Sequence, residues 1–340
     1  MTVPKLSIDA DGDLILVVGP RSREFLVCSK ALSRASRVFK CMLNGPFKEA
    51  RPEAGPWVVT LPEDNDAAAE LMLYIIHSMF DHVPATLSVA ELYDALVFAD
   101  KYDMTGHFRP WMENWLAQNR QDLRESERFN TAIGICWATG DVETLRFLAN
   151  RICLECSINI RGQLIGFDFR RLEEAELPLS PPRIYKNAAE IRLALCKEIL
   201  LRLRRVIVKL QDGTKGGSPG YCVLPKEIPR TCQAVTLGSI FNGIEFEGLR
   251  QIIHIGEPKY APRCSVSELV HWLKSIQVLR INDRHTLCNP MPKLELEVDQ
   301  LLKQHESPIE PEHYAHLKKQ QQKLGLPTVE PASTEPNSKQ

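Results

Sequence analysis

The strongest constraint on the fold is a change in the spacing of apolar residues at about Asp66. Before this point, three short apolar runs are bounded by turn-forming residues, as expected of β-strands; they are Asp13–Val18, Glu24–Cys28 and Trp57–Leu61. From Asp66 onward, apolar residues recur every three or four positions, which is the period of an amphipathic helix. A short sheet followed by packed helices predicts an α+β fold. The predicted core includes Leu14, Leu16, Phe39, Leu73 and Leu96.

The rest of the chain is predicted to be mainly helical. Two helices are expected within 127–156, and a cluster of prolines from Pro178 to Pro182 marks a boundary. The segment 187–210 has an apolar seam typical of a bundle or coiled-coil helix; it consists of Leu193, Cys196, Leu200, Leu203, Ile207 and Leu210. Four regions are therefore expected: an α+β domain over 6–120, a helical extension over 121–177, a mainly helical domain over 185–305 and a largely disordered tail over 306–340.

Composition and charge indicate an ordered protein without a global attraction to polyanions. The hydrophobic fraction is 44%, and 42 basic residues nearly balance 43 acidic ones. The first residues do not resemble a secretory signal, and no apolar run approaches the ~20 residues that span a bilayer. We therefore expect a soluble intracellular protein of the cytoplasm or nucleus, with no membrane partner. Its ten cysteines are expected to be reduced thiols.

Several short motifs in the first half of the chain resemble a BTB/POZ domain. They are Asp13-Leu14, Phe25-Leu26-Val27, Ser29-Lys30-Ala31-Leu32, Ser36-Arg37-Val38-Phe39 and Phe47-Lys48-Glu49, followed by "LPEDNDAAAELMLYIIHSMF" and "LYDALVFADKYDM". The resemblance spans about Leu6 to Gln118 and is greatest to BTB proteins of filamentous fungi. It implies a BTB/POZ-like N-terminal domain and a non-enzymatic scaffold or adaptor that binds protein partners.

Within this resemblance, Phe47, Lys48 and Glu49 are the candidate partner-binding residues. They resemble the hydrophobic-x-acidic element through which some BTB adaptors bind a cullin scaffold, so a substrate receptor of a cullin-type ubiquitin ligase is an alternative function. The helices expected at 127–156 lie where such adaptors have a supporting helical pair. The other interpretation of Phe47 is a loop residue folded onto its own domain.

Self-association is left open by the same resemblance. About twelve residues precede the first predicted strand, which is too few for the N-terminal helix that many dimeric members exchange. Cys28 also lies where animal members often have a histidine.

A second alternative is a transcription-linked regulator that binds nucleic acid through a basic helix. The segment 187–210 contains Arg192, Lys197, Arg202, Arg204, Arg205 and Lys209. Such charges more often form the solvated face of a packed helix, and no interleaved aromatic residues are present to stack on bases.

Cysteine and histidine spacing suggests a metal site in the C-terminal half. Cys222, Cys232, His285 and Cys288 could form a Cys₃His set suited to tetrahedral zinc, and we expect no other cofactor. The alternative is reduced cysteines in apolar surroundings. Cys153 and Cys156 have zinc-like spacing but no complementary pair, so two buried thiols are expected there. No nucleophile, base and carboxylate grouping is recognisable, and the protein is not expected to be an enzyme.

Overall fold

A four-stranded sheet begins the chain in the computed structural model, which describes residues 5–172, 178–215, 220–224, 228–246 and 262–328. The strands are β1 (Leu6–Ser7), β2 (Leu14–Val18), β3 (Arg23–Val27) and β4 (Val58–Leu61), arranged in the order β1-β3-β2-β4. β2 is antiparallel to β3 and parallel to β4, with Leu16 opposite Phe25 and Val59. Three of these strands confirm the prediction. β1 was not predicted because a strand of two residues is too short to show an alternation of apolar and polar residues.

Five α-helices lie in the same part of the chain, two before β4 and three after it: α1 (Ser29–Ala35), α2 (Arg37–Asn44), α3 (Asp66–Ile76), α4 (Val89–Lys101) and α5 (Arg109–Glu125). Side-chain caps fix where they begin, with Ser36 on α2, Asn65 on α3 and a Ser88–Glu91 capping box on α4. The five predicted core residues, Leu14, Leu16, Phe39, Leu73 and Leu96, are all at most 2% exposed. The α+β class is thus confirmed.

Buried polar contacts around Tyr102 join the sheet to the helices. The Tyr102 hydroxyl donates to Asp64 over 2.7 Å, and the Tyr102 carbonyl accepts from the Ser36 hydroxyl over 2.6 Å. The Tyr102 ring stacks on Phe39 with centroids 4.4 Å apart. Burial and the hydrogen bond to Asp64 raise the pKa of Tyr102, so the phenol stays protonated. These contacts fix α2 and therefore the loop that follows it.

The chain divides into two compact units, and the division falls inside α7 (Val142–Glu155). The first unit comprises 1–148, 174–182 and 309–340, and the second comprises 149–173 and 183–308. These limits differ from the boundaries expected at 120 and 177. The reason is that α6 (Phe129–Thr139) packs against α4, so the start of the expected helical extension belongs with the α+β part.

The expectation of a largely disordered segment over 306–340 is wrong for its central part. Residues Pro311–Leu324 form α12, which packs against α6 in the first unit. Leu317 and Leu324 are at most 1% exposed, and the Gln321 amide donates to the Gly140 carbonyl over 2.8 Å. Pro311 in the first turn and left-handed Gly325 (φ 68°) are favourable helix ends. Residues 329–340 lie outside the described part of the chain.

In the described part of the second unit, the regular elements are helices apart from the two-residue strands β5 (Ser157–Ile158) and β6 (Leu164–Ile165). After the end of α7, these helices include α8 (Ile184–Lys215), α9 (Pro229–Phe246), α10 (Val266–Ser275) and α11 (Met291–Gln304). The predicted α8 seam is buried from Cys196 to Leu210, while Leu193 is half-buried. Among the described residues, every helix is too short or too polar to cross a bilayer.

Candidate functional site

The four residues of the predicted Cys₃His set come together in the second unit. Cys222 lies in a short segment before α9, Cys232 lies in the first turn of α9, and His285 and Cys288 lie on a 3₁₀ helix, Asp283–Cys288. Their exposures are 9%, 3%, 2% and 2% in chain order. The expected convergence is confirmed for all four side chains.

The 3₁₀ geometry explains how His285 and Cys288 reach the same point. A 3₁₀ helix has three residues per turn, so side chains at i and i+3 lie one above the other. Asn282 caps this helix by accepting from the Arg284 N–H over 3.0 Å. The Val223 N–H donates to the Cys288 sulfur over 3.4 Å, which ties the Cys222 segment to the 3₁₀ helix.

The distances between the donor atoms fit a single tetrahedral ion. The His285 Nδ1 atom lies 3.8 Å from the Cys222 sulfur and 3.6 Å from the Cys288 sulfur. All four ligand atoms lie within 4.8 Å of one another. Zn–S bonds of ~2.3 Å and Zn–N bonds of ~2.0 Å at tetrahedral angles would separate sulfur from nitrogen by ~3.5 Å and sulfur from sulfur by ~3.8 Å. The buried group could therefore hold a metal ion.

The electrostatics of the cluster favour a cation. Burial, together with the neighbouring Cys288 and Cys222 groups, raises the pKa of Cys232 to about 12. Without a counter-charge, three adjacent thiolates repel one another in a medium of low polarity. A divalent ion reverses this balance by attracting all three.

The other predicted cysteine pair lies apart from this cluster. Cys153 and Cys156 are at most 1% exposed, and burial raises the pKa of each thiol to about 12. The Cys156 carbonyl accepts a hydrogen bond from Arg192 over 3.1 Å. The geometry agrees with the expectation of two buried thiols.

Phe47, Lys48 and Glu49 lie on the loop between α2 and β4 in the first unit. The Phe47 side chain is 54% exposed, and the Lys48 side chain is 88% exposed. The Glu49 side chain is 20% exposed, and its backbone carbonyl accepts from the Trp57 indole N–H over 2.9 Å. The loop thus presents an aromatic ring outward while its backbone is held at Trp57.

The basic residues of α8 do not form one continuous exposed stripe. Arg192 is 1% exposed, and Arg202 forms an ion pair with Glu198 at 2.5 Å. The Lys209 ammonium lies over the Tyr221 ring at 4.3 Å from its centroid. Reasoning from the sequence missed the buried role of Arg192, because periodicity alone does not show that one charged position points into the core.

A cavity of about 210 Å³, which no sequence pattern predicted, lies between α3 and α4. Its carboxylates are engaged internally: Glu70 accepts from Arg23 over 2.6 Å, and Glu91 accepts from the Ser88 hydroxyl over 2.7 Å. The Asp94 carboxylate accepts from the Asn65 amide over 2.8 Å, and burial raises its pKa. Each of these carboxylates therefore has a hydrogen-bonding role within the fold itself.

Comparison with known proteins leaves the chain without a match. No family model, curated protein or solved structure matches it significantly.

Proposed function

We propose that the protein is a non-enzymatic interaction scaffold or adaptor of the cytoplasm or nucleus, acting through a BTB/POZ-like first unit. The observation that supports this proposal is the contrast between Phe47 and the other apolar residues of the resembling motifs. Leu14, Phe25 and Phe39 are completely buried, whereas the Phe47 ring is 54% exposed. An exposed aromatic residue held on a fixed loop is a typical anchor for a protein partner.

A cullin scaffold is the specific partner class that the resemblance suggests. Phe47 would enter a pocket on that partner and Glu49 would set the register at the rim. The test is co-precipitation of cullins with the Phe47→Ala/Glu49→Ala variant. We expect a loss of at least ~2 kcal/mol of binding, about 30-fold, as for a truncated anchor.

The matched control is Phe80→Ala, because Phe80 lies in the same unit and is 55% exposed. This variant should bind normally, and neither variant should lower the melting temperature by more than a few degrees. Unchanged binding by the double variant would reject the Phe47 surface. A large loss of stability would place Phe47 in the core instead.

We further propose that zinc is the metal of the Cys₃His group. Three sulfurs and one imidazole are a ligand set that zinc prefers, and four protein ligands fill a tetrahedral site. Such a closed site is structural, since no position is left for substrate. The ion would join the Cys222 segment, the start of α9 and the 3₁₀ helix, which the described hydrogen bonds connect only weakly.

Metal analysis of protein purified in metal-free buffer, supplied with a small excess of zinc and then desalted tests this proposal. We expect one zinc per chain, and Cys288→Ser should lower that content severalfold. The control, Cys41→Ser, removes an exposed thiol and should retain the metal. A reduced, folded protein that takes up no zinc would refute the assignment, as would equal zinc content in the Cys288→Ser variant.

A further inference from the structure

The helices α1 and α2 carry a concentration of basic residues without acidic neighbours in the sequence. Residues 25–48 include Lys30, Arg34, Arg37, Lys40 and Lys48 and contain neither aspartate nor glutamate. The first four of these side chains are exposed. This is a local excess, because the whole chain has a net charge of only -1.

Several basic residues elsewhere in the first unit are neutralised by ion pairs. Arg21 pairs with Asp66 at 2.9 Å, Arg23 pairs with Glu70 at 2.6 Å, and Lys101 pairs with Asp64 at 2.7 Å. Over the described part of the chain, the four exposed cations of α1 and α2 form no such pair. Their charge therefore projects into solvent, where it attracts anionic groups.

A hydrogen bond between the two helices places these cations together. The Asn44 amide donates to the Ser33 hydroxyl over 3.2 Å and to the Lys40 carbonyl over 2.9 Å. Lys30 lies three residues before Ser33, and Lys40 lies four residues before Asn44, so each lysine shares a helix face with one partner of this bond. Lys30 and Lys40 thus flank the contact between α1 and α2.

Phe47 lies at the end of the same surface. A side chain at Gly45, the residue after α2, would lie 3.0 Å from the Phe47 ring and 2.5 Å from the Cys41 carbonyl. The close approach of the chain and the Phe47 ring at the end of α2 therefore favours glycine. An apolar anchor thus adjoins a group of unneutralised cations.

We propose that this surface, formed by Lys30, Arg34, Arg37, Lys40 and Phe47, binds an acidic peptide segment of a partner protein. Carboxylates of the segment pair with the cations, and one of its apolar side chains packs on Phe47. The inference rests on the proposed scaffold function, because it specifies the chemistry of the partner that Phe47 contacts.

A protein segment suits this surface better than a nucleic acid. Helices of seven and eight residues are only ~10–12 Å long, which is short for tracking a phosphate backbone.

The test begins with a random peptide library selected against the full chain. We expect enriched peptides to combine aspartate or glutamate with an apolar residue. A synthetic peptide of the enriched sequence is then titrated against Lys30→Glu/Lys40→Glu, for which we expect at least ~10-fold weaker binding because like charges replace opposite ones. The control is Lys197→Glu/Lys293→Glu, which reverses two exposed charges of the second unit and should bind normally.

Several results would overturn the inference: no enrichment, enrichment of neutral or basic peptides, or equal binding by the Lys30→Glu/Lys40→Glu variant. The inference would also be rejected if single-stranded DNA or phosphatidylserine vesicles bound the chain more tightly than the peptide and this binding required the same lysines. If Phe47→Ala weakens partner binding while the charge reversal does not, the scaffold proposal stands and the acidic partner is rejected. If Lys30→Glu/Lys40→Glu weakens peptide binding while Phe47→Ala does not, Phe47 is rejected as the anchor.

Discussion

Arg192 shows how one charged residue can organise a helical core. Its Nε atom donates to the Cys156 carbonyl over 3.1 Å, and one Nη atom donates to the Pro262 carbonyl over 2.6 Å and to the Cys264 carbonyl. A guanidinium has five donors in a fixed plane, so it can serve several carbonyls at once. These bonds attach the residues after α7 and those before α10 to α8.

Replacing Arg192 with methionine should destabilise the second unit by about 3 kcal/mol. The side chain is similar in volume, but one buried and two part-buried carbonyls lose their donor, and each unsatisfied buried polar group costs ~1–3 kcal/mol. Urea unfolding followed by circular dichroism measures the change. Lys197→Met on the exposed side of α8 is the control and should change stability by less than ~0.5 kcal/mol. Equal stability of the two variants would show that solvent replaces these bonds at no cost.

At the scale of elements, α12 is held to the first unit by aromatic as well as aliphatic contacts. The His316 ring stacks on Trp137 with centroids 3.7 Å apart and an interplanar angle of 8°. His313 lies edge-on to the same indole, and its Nε2 atom donates to the Pro182 carbonyl over 2.7 Å. The histidines of α12 therefore contact both an indole ring and a backbone carbonyl of the first unit.

Acidification should weaken the attachment of α12. Burial lowers the pKa of His316, although a hydrogen bond with the Trp137 backbone and the charge of Asp100 oppose this effect and Lys319 and His313 reinforce it. His316 is thus neutral in the folded state at a pH where the unfolded chain already binds a proton. Stability is lost as the pH falls below ~6.5, the ordinary histidine value, towards the folded pKa.

This prediction is measured as the melting temperature of the first unit between neutral pH and about pH 5.5. His316→Gln keeps a polar side chain without the titration and should reduce the dependence on pH. His271→Gln alters an exposed histidine of the second unit and should leave the dependence unchanged. Identical pH profiles for wild type and His316→Gln would contradict the assignment.

At the scale of the whole molecule, local patterns could be predicted from the sequence and distant connections could not. The strands and most helices follow from residue spacing, and the four metal-binding candidates were recognised by residue type. The return of α12 to the first unit was missed because its apolar residues, such as Leu317 and Leu324, are sparse among polar ones. The unit boundary inside α7 was missed because a continuous helical pattern carries no sign of a change in packing partners.

The discontinuity of the first unit has a consequence for its biosynthesis. Residues up to 148 leave the ribosome well before Leu317 and Leu324, whose buried contacts complete that unit. At elongation rates of ~5–20 residues per second, the intervening residues 149–308 take roughly 10–30 s to make. During this interval the nascent first unit lacks α12, so its surface on α6 is open to chaperones. Cys222, Cys232, His285 and Cys288 have all been synthesised by then, and the second unit can close around its own core before the first is finished.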